Sequence, residues 1–408
     1  MSIEFNMFQT TGFACILLIV GNLLRNRIKF LENFAIPPAV IGGFLFSFIN
    51  LLLRNNNILI INFDTGLQDL FMYLFFVSVG YGASVLFLKK AGSKVFKFLI
   101  LATILVFLQN LIALILSNFV GVDRSLALMT GSTAMTGGHG TAAAIAPMLE
   151  KAGFPKTETV AFSAATFGLV AGSLMGGPMA AKLIERRRLM DKRVKYPGHK
   201  PSSIIEYGDF KLDQELILRG FFAIFIAIFL GSYLTDFLNS LLAKLSDIAK
   251  LPGYIGPMIV AVILRALNDK FENKKDREGF LDLKEIEVIG SVGLNIFLGM
   301  ALMGLKLWEL AELALPLVIL LLAQSILMFA YARFITFNFM GKDYDAAILA
   351  AGHTGFGMGA TPNGVANMES VCEEYEYSET AFFVLPVVGG MFIDFINILI
   401  IIPFISFL

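Results

Sequence analysis

Ten apolar stretches, each about the length that crosses a lipid bilayer as a helix, limit what this chain can fold into. They cover residues 7–24, 34–53, 67–88, 96–119, 158–181, 216–235, 252–268, 289–307, 312–332 and 379–402. The chain is 57% hydrophobic and 16% charged, with a mean hydropathy of +0.75, which is too apolar for a soluble domain of this length. The stretches therefore predict an all-α polytopic membrane protein with about ten transmembrane helices.

The basic residues assign a side of the membrane to each connecting segment. Residues 182–203 carry eight Lys or Arg against two acidic residues, so the positive-inside rule places this segment in the cytoplasm. Both termini then lie outside, and 25 of the 32 Lys and Arg fall in cytoplasmic segments. Because acidic and basic residues balance at 32 each, net charge predicts no nucleic-acid partner.

Two further segments, residues 125–149 and 345–371, are apolar but too rich in glycine to cross as single helices. The second contains residues 352–367, which hold five glycines, two threonines, a histidine, a proline and two asparagines. Because the flanking stretches already satisfy the charge rule, each segment has to return to the side from which it enters. Irregular backbone at membrane depth is tolerated only where protein or water covers it. Both segments are therefore predicted to be re-entrant hairpins.

The two halves of the chain resemble each other. At a constant shift of 221 residues, eight positions from Leu128 to Gly168 are identical to their partners between Leu349 and Gly389, Gly138 and Gly359 among them. We interpret residues 1–181 and 216–408 as two repeats of five helices and one hairpin each, joined by a basic linker at 182–215. Since five is odd, the second repeat is expected to be inverted in the membrane.

Inverted repeats with broken helices meeting near the midplane are typical of secondary transporters. A channel is disfavoured because no ring of repeated acidic or carbonyl motifs is visible. A membrane-embedded enzyme is also disfavoured, since the chain offers no evident nucleophile with a base and an orienting acid. The repeat therefore indicates a carrier with no catalytic residues.

The hairpin tips are candidates for substrate binding. Glycines there leave backbone N–H groups unshielded, and the half-helix that follows directs its positive end at the tip, which suits an anion. Tight helix packing is the alternative use of such glycines. For His139 a bond to substrate and a purely structural bond are both open. The candidate substrate-binding residues are Gly138, His139, Gly140, Thr141, Gly359, Thr361 and Asn363.

Asp394 is the single carboxylate deep inside a predicted span, and Asn397 follows it one helical turn later. An ionisable group at that depth is costly and marks a functional site by default. Carboxylate and amide oxygens suit a hard cation such as sodium. The alternative is a carboxylate that is hydrogen-bonded within the helix bundle. Asp394 and Asn397 are our candidate sodium ligands.

Several long motifs resemble the bacterial sodium/glutamate symporter family. They are residues 137–141, 301–310 (Ala-Leu-Met-Gly-Leu-Lys-Leu-Trp-Glu-Leu), 341–347 (Gly-Lys-Asp-Tyr-Asp-Ala-Ala), 352–367 and 392–394 (Phe-Ile-Asp). The similarity covers essentially the whole chain and is densest after residue 290. It weakens in the central linker and around Arg265.

The resemblance implies sodium-coupled import of L-glutamate across the bacterial inner membrane, with sodium as the coupling ion and no other cofactor. It also implies a homodimer in the lipid bilayer, with a fixed scaffold and a moving domain that carries both hairpins in an elevator-like step. The alternatives from the residues themselves are a cation-coupled carrier of another small dicarboxylate, such as a hydroxy- or oxo-acid, and, less favoured, an enzyme.

Overall fold

Helices occupy all ten predicted apolar stretches. The computed structural model describes residues 2–34, 36–56, 58–84, 92–190, 214–242, 251–272, 283–406 and 408. In chain order its helices are α1 (Met7–Arg27), α2 (Lys29–Asn33), α3 (Pro38–Asn55), α4 (Gln68–Gly82), α5 (Gly92–Val120), α6 (Arg124–Met129), α7 (Gly138–Lys151), α8 (Thr157–Arg187), α9 (Gln214–Leu242), α10 (Ile255–Glu272), α11 (Leu283–Met303), α12 (Ala314–Phe339), α13 (Tyr344–Met358), α14 (Thr361–Glu374) and α15 (Glu379–Ile405). A short 3-10 helix, Leu307–Leu313, precedes α12.

Eight of these helices are long and apolar enough to cross a membrane, within the part of the chain that the structure describes: α1, α3, α5, α8, α9, α11, α12 and α15. The other two predicted spans are helical but fall short. α4 has 15 residues, and α10 has 18 residues of which the last turns are charged, with Arg265, Asp269, Lys270 and Glu272. The all-α polytopic class is thus confirmed, with two helices that differ from the sequence expectation.

The first residues of the predicted basic linker are helical. α8 continues to Arg187, beyond the expected end of the span at residue 181, and α9 begins at Gln214. Residues 191–213, most of the predicted linker, lie outside the described residues.

A small parallel sheet joins the N-terminus to the α3–α4 connection, which the hydropathy pattern does not predict. Strand β1 (Ser2–Phe5) pairs with β2 (Ile60–Phe63), with Ser2 opposite Ile60 and Phe5 opposite Phe63. Each strand has only four residues. The Phe5 ring packs edge to face against the Phe13 ring at 5.6 Å, and the Phe63 ring lies nearly parallel to the Phe13 ring at 6.2 Å. Such short, distant partners leave no local signal in a sequence.

The helices form two groups according to their packing. One group, which we term the first bundle, consists of α1, α3, α4, α9, α10 and α11. The other, the hairpin bundle, consists of α5 to α8 and α12 to α15. Apart from the short α2, each half of the chain contributes its first three helices to the first bundle and its remaining helices to the hairpin bundle. The order of elements is therefore the same in both halves, while the inverted orientation of the halves stays a prediction.

Glycines allow the closest helix crossings of the first bundle. A Cβ atom on Gly21 of α1 or on Gly42 of α3 would lie 2.0 Å from a backbone oxygen of the other helix. In the second half, a Cβ atom on Gly256 of α10 would lie 2.0 Å from the Gly231 oxygen of α9. Both crossings therefore exclude any side chain, as is common where small residues let membrane helices approach.

Candidate functional site

The first glycine-rich segment folds as helix, turn and helix, and we term α6, α7 and their connection the first hairpin. The Asp123 carboxylate caps α6 by accepting a 2.8 Å hydrogen bond from Ser125 N. Turns follow over residues 130–137. Gly138 opens α7 with a φ of 55°, a conformation that glycine adopts without steric cost. The N-terminus of α7, with its unpaired N–H groups, therefore lies at the tip.

The second segment is broken in a different way, and α13, α14 and their connection form the second hairpin. α13 ends at Met358, Gly359 has a φ of −146° and a ψ of −94°, and Ala360 is extended. α14 then begins at Thr361 with Pro362 in its first turn, where a missing N–H has no cost. Broken backbone thus occurs at both predicted positions, and the return of each hairpin to one membrane face stays a prediction.

The two hairpin tips touch each other. A Cβ atom on Gly138 would lie 2.6 Å from Gly359 O, and these two glycines are partners in the repeat alignment. Behind this contact, a Cβ atom on Gly168 of α8 would lie 2.2 Å from Met358 O. Glycine is thus required at both approaches, and the structure brings the two predicted substrate segments together.

The side chain of Asn363 ties the second hairpin to its surroundings. Its Nδ2 donates to Ser173 Oγ at 2.8 Å and to Phe34 O at 3.1 Å. Ser173 is the α8 residue that aligns with Asp394 in the repeat. Thr361, the other predicted polar residue of this tip, lies beside α15, since its Oγ1 would be 2.7 Å from a Cβ atom on Gly389.

Asn397 holds α15 against the first hairpin. Its Nδ2 donates to Ser132 O at 3.1 Å, and its side chain is fully buried. A Cβ atom on Gly137 would lie 2.4 Å from Thr141 Oγ1 and 2.7 Å from Asn397 Nδ2. Thr141 and Asn397 therefore project to the same side of the hairpin turn and are neighbours.

The buried oxygens of this region that have no hydrogen-bond partner among the described residues include Ser132 Oγ, Thr141 Oγ1 and Asn397 Oδ1. Buried polar atoms are normally satisfied, so unpartnered ones require an explanation. Hydroxyl and amide oxygens are ligands that hard cations accept. The donor set around Asn397 therefore fits a sodium ion.

Asp394 lies on the same helix, one turn before Asn397, and is half-buried. Directly before it, Val388–Phe392 widens into a π-helical segment, a local irregularity that is often found at functional sites. This part of α15 packs against α4 of the first bundle. Asp394 therefore lies near the boundary between the two bundles.

Both hairpin histidines have a threonine hydroxyl as hydrogen-bond partner. His139 Nε2 lies 2.9 Å from Thr166 Oγ1, and the Thr166 hydroxyl itself lies 2.9 Å from Phe162 O. His353 Nδ1 lies 2.8 Å from Thr336 Oγ1 of α12. Both rings are buried, and His139 is beside the tip because it follows Gly138.

Polar residues that the sequence analysis did not single out surround the tips. Gln109 and Asn110, in the middle of α5, bond to the second and first hairpins respectively, at Gly357 O and Ser132 N. Asn367 Nδ2 donates to Gly172 O at 2.9 Å. The Gln-Asn pair inside an otherwise apolar span is the feature by which the sequence could have indicated these contacts, because polar residues inside a membrane require partners.

A cavity of about 770 Å³ opens beside α7, between the hairpin bundle and the first bundle. Residues predicted to be external line it, among them Arg54, Lys151 and Lys306. The predicted substrate residues do not line it. A Cβ atom on Gly140 would lie 3.2 Å from the Phe75 ring. The Phe75 side chain of α4 therefore covers the first turn of α7, which lies between the hairpin tip and the part of α7 that lines the cavity.

The Lys306 side chain spans the rim of this cavity. Its Nζ lies 3.3 Å from Glu150 Oε1 at the end of α7 and 3.9 Å from Glu309 Oε1. Arg54 stacks over the Trp308 ring at 4.3 Å. Because the Lys306 side chain is 49% exposed, these ion pairs contribute little stability.

Comparisons with known proteins agree with the resemblance seen in the sequence. A family model described as Sodium/glutamate symporter matches residues 3–377. The sodium/glutamate symporter of Escherichia coli (strain K12) is 38% identical over 398 residues, covering 95% of this chain and 94% of that protein. The sodium/glutamate symporter of Haemophilus influenzae is 36% identical over 398 residues, covering 97% and 96%.

Among solved structures, a sodium proton antiporter from Methanocaldococcus jannaschii covers 98% of both chains at 13% identity with a TM-score of 0.43. That similarity is too low to support any argument about this chain. The family match and the two relatives, by contrast, extend over nearly the whole sequence. The chain belongs to the sodium/glutamate symporter family.

Proposed function

We propose that the chain is a secondary active transporter that imports L-glutamate together with sodium. The observation that carries the proposal is the family match over residues 3–377, with relatives named sodium/glutamate symporter along 95% of the chain. The family is one of transporters, which favours a carrier over an enzyme. Two broken hairpins whose tips touch support this, since secondary carriers bind substrate where discontinuous helices meet.

Glutamate carries two carboxylates and binds, in this proposal, at the two hairpin tips. The helices α7 and α14 both begin there, so their first N–H groups and the positive ends of their dipoles favour a carboxylate. The residues proposed to hold it are Gly138, Gly140, Thr141, Gly359, Thr361 and Asn363, with His139 adjacent. The Thr141 hydroxyl and backbone N–H groups supply the donors.

Sodium binds, in this proposal, between α15 and the first hairpin. Asp394 and Asn397 supply a carboxylate and an amide oxygen, and the unpartnered oxygens of Thr141 and Ser132 are close to Asn397. Sodium at this position fixes the first hairpin against α15. If the substrate-ready arrangement of the tips is the one that sodium stabilises, each ligand raises the affinity of the other.

The movement proposed for transport is an elevator-like step of the hairpin bundle along the first bundle. The separate packing of the two groups of helices supports it. The protein acts as a homodimer in the bacterial inner membrane, with the first bundle as the fixed scaffold. Both termini lie outside and the basic linker lies in the cytoplasm, in agreement with the distribution of Lys and Arg.

Uptake of labelled L-glutamate into proteoliposomes tests the function. We expect accumulation above the external concentration with an inward sodium gradient, and loss of accumulation when potassium replaces sodium or an ionophore collapses the gradient. Unlabelled oxo- and hydroxy-dicarboxylates at equal concentration serve as competitors. Uptake without a sodium requirement would overturn the coupling, stronger competition by another dicarboxylate would overturn the substrate, and a chemically altered product would indicate an enzyme.

Cysteine labelling tests the proposed sidedness of the cavity. Met148 lines the cavity, whereas its neighbour Leu149 is 1% exposed and packed in the core. In a background with Cys15 and Cys372 replaced by serine, we expect Met148→Cys to react with a membrane-impermeant maleimide added to the outside of intact cells. Leu149→Cys is the matched control and should react at least about tenfold more slowly, as expected for a buried site. Labelling of Met148→Cys from the cytoplasmic side alone would contradict the orientation.

A further inference from the structure

Gln109, in the middle of α5, contacts both hairpins through its side-chain amide. Its Oε1 accepts a 2.7 Å hydrogen bond from Thr136 Oγ1 in the turn of the first hairpin. Its Nε2 donates a 2.7 Å hydrogen bond to Gly357 O in the second hairpin. Gln109 is 0% exposed and Thr136 4%. One side chain thus joins two segments that are separated by 221 residues.

The carbonyl of Gly357 needs this partner. α13 ends at Met358, so this carbonyl belongs to the last turn of a helix, where backbone acceptors lack an intrahelical donor. Gln109 Nε2 supplies the donor. The Thr136 hydroxyl is 3.3 Å from the same oxygen but closer to Gln109 Oε1, so Gln109 satisfies both groups in one arrangement.

The two groups that Gln109 joins are equivalent in the repeat. The distance of 221 residues between Thr136 and Gly357 is the shift that aligns the two hairpins. In the helices before the hairpins, residues 104–112 (Ile-Leu-Val-Phe-Leu-Gln-Asn-Leu-Ile) align with residues 319–327 (Ile-Leu-Leu-Leu-Ala-Gln-Ser-Ile-Leu) at a shift of 215, which pairs Gln109 with Gln324. Each repeat thus has a glutamine in the middle of this helix.

The two glutamines nevertheless have different partners. Gln324 Nε2 donates to the backbone oxygen of Gln109 at 2.8 Å, and Gln324 Oε1 has no hydrogen-bond partner among the described residues. Gln324 is 1% exposed, so the two side chains are equally buried. Of the two, Gln109 is the one whose side chain bonds to the hairpins.

We infer that Gln109 is a positioning residue that sets the separation of the two hairpin tips and so couples sodium affinity to glutamate affinity. The inference deepens the proposed function and rests on it. In that proposal sodium contacts the first hairpin, and glutamate contacts both tips. A rigid connection from Thr136 to Gly357 transmits the position of one tip to the other, as coupling through two linked sites requires.

Without Gln109, the Thr136 hydroxyl and the Gly357 carbonyl lose a buried partner. The Thr136 hydroxyl can then donate only to Gly357 O, 3.3 Å away, and this longer contact replaces two bonds of 2.7 Å. The weaker connection between the hairpins favours other arrangements of them. The fraction of molecules with both tips in the substrate-ready arrangement then falls, and the apparent dissociation constant rises by the same factor. The expected signature is a change in coupling, rather than a loss of folded protein.

Gln109→Met tests the inference because methionine preserves the length of the side chain and removes both hydrogen bonds. We expect the apparent Kd for glutamate at saturating sodium to rise about tenfold, as the loss of one or two buried hydrogen bonds implies. The factor by which sodium strengthens glutamate binding should shrink similarly. Binding is measured with labelled glutamate on purified, monodisperse protein, and uptake separates KM from Vmax.

Gln324→Met is the matched control, since it makes the same change at the equivalent buried position and leaves both side-chain bonds of Gln109 intact. It should keep the sodium coupling within about threefold of wild type. Thr136→Val removes one of the two bonds at nearly constant volume and keeps the inference testable if Gln109→Met is unstable. It should weaken coupling, and combined with Gln109→Met it should add little, because both changes remove the same bond.

The outcomes separate this inference from the proposed function. Wild-type protein that shows no sodium-dependent glutamate binding would overturn the proposed function itself. Wild-type coupling that persists in Gln109→Met and in Thr136→Val would overturn only the positioning role. An equal loss of coupling in Gln324→Met would also contradict it, since that result would assign the effect to the buried amides in general.

Discussion

Gly138→Ala is expected to reduce sodium-driven glutamate uptake by about tenfold or more while the protein still inserts and folds. The added Cβ atom would lie 2.6 Å from Gly359 O, closer than a carbon and an oxygen can approach. The backbone at Gly138 has a φ of 55°, which costs a non-glycine residue about 1–2 kcal/mol. Both effects push the tips apart at the proposed substrate site, and a misplacement of about 1 Å can reduce activity about a hundredfold.

Gly121→Ala is a matched control for the backbone cost alone. Gly121 has a similar φ of 69°, and a Cβ atom there would have no neighbour within 4 Å. Its alanine variant should lose some thermal stability and keep the wild-type KM for glutamate. Equal KM and Vmax in the two alanine variants would show that the contact between the tips is not needed for transport.

The sequence predicts the helices better than the contacts between them. Hydropathy identifies the ten helical stretches because the bilayer demands a minimum apolar length. It does not predict that α4 stops after 15 residues, since Phe and Val continue the apolar pattern to residue 88. The β1–β2 pairing also escapes, because four-residue strands separated by a long helix pair carry no periodic signal.

Glycine content predicts where the hairpins break, yet it does not reveal which groups hold them in place. The repeat alignment pairs Gly138 with Gly359, and the structure brings these two into contact. Gln109 escapes the sequence analysis because a Gln-Asn pair in an apolar span indicates only that some polar partners exist. Its partners, Thr136 and Gly357, become evident from the packing of α5 against both hairpins.

Asp394 can be recognised in the sequence by its depth in a span, but its relation to the hairpins depends on the fold. α15 contacts the first hairpin through Asn397 and Ser132 O at 3.1 Å. The π-helical segment Val388–Phe392 shifts the register of the helix just before Asp394. An unbroken α-helix would direct the residues after this segment to a different face. The spacing of three residues places Asp394 and Asn397 on one face of the helix, and the π-helical segment sets the direction of that face relative to the earlier part of α15.

Asp394→Asn is expected to raise the sodium concentration for half-maximal uptake by about tenfold or more, because hydrogen bonds and contacts to a charged group contribute about 1.5–3 kcal/mol. Asparagine keeps the size of the side chain and one of its oxygens, but it removes the negative charge that attracts the sodium ion. Glutamate affinity at saturating sodium should change by less than about threefold, since linkage lets excess sodium restore the bound state. Uptake rates at graded sodium and fixed glutamate measure both quantities.

Asp345→Asn makes the same change at the start of α13, in the same bundle, where the carboxylate accepts a 2.7 Å hydrogen bond from Ser378 Oγ. The Asp345 side chain is 27% exposed, and its amide replacement retains an oxygen that can accept from Ser378. This control should therefore keep the wild-type sodium dependence. Asp394→Asn with wild-type sodium activation would remove the carboxylate from the coupling site, and the cation would then depend on Asn397 and the hydroxyls of the first hairpin alone.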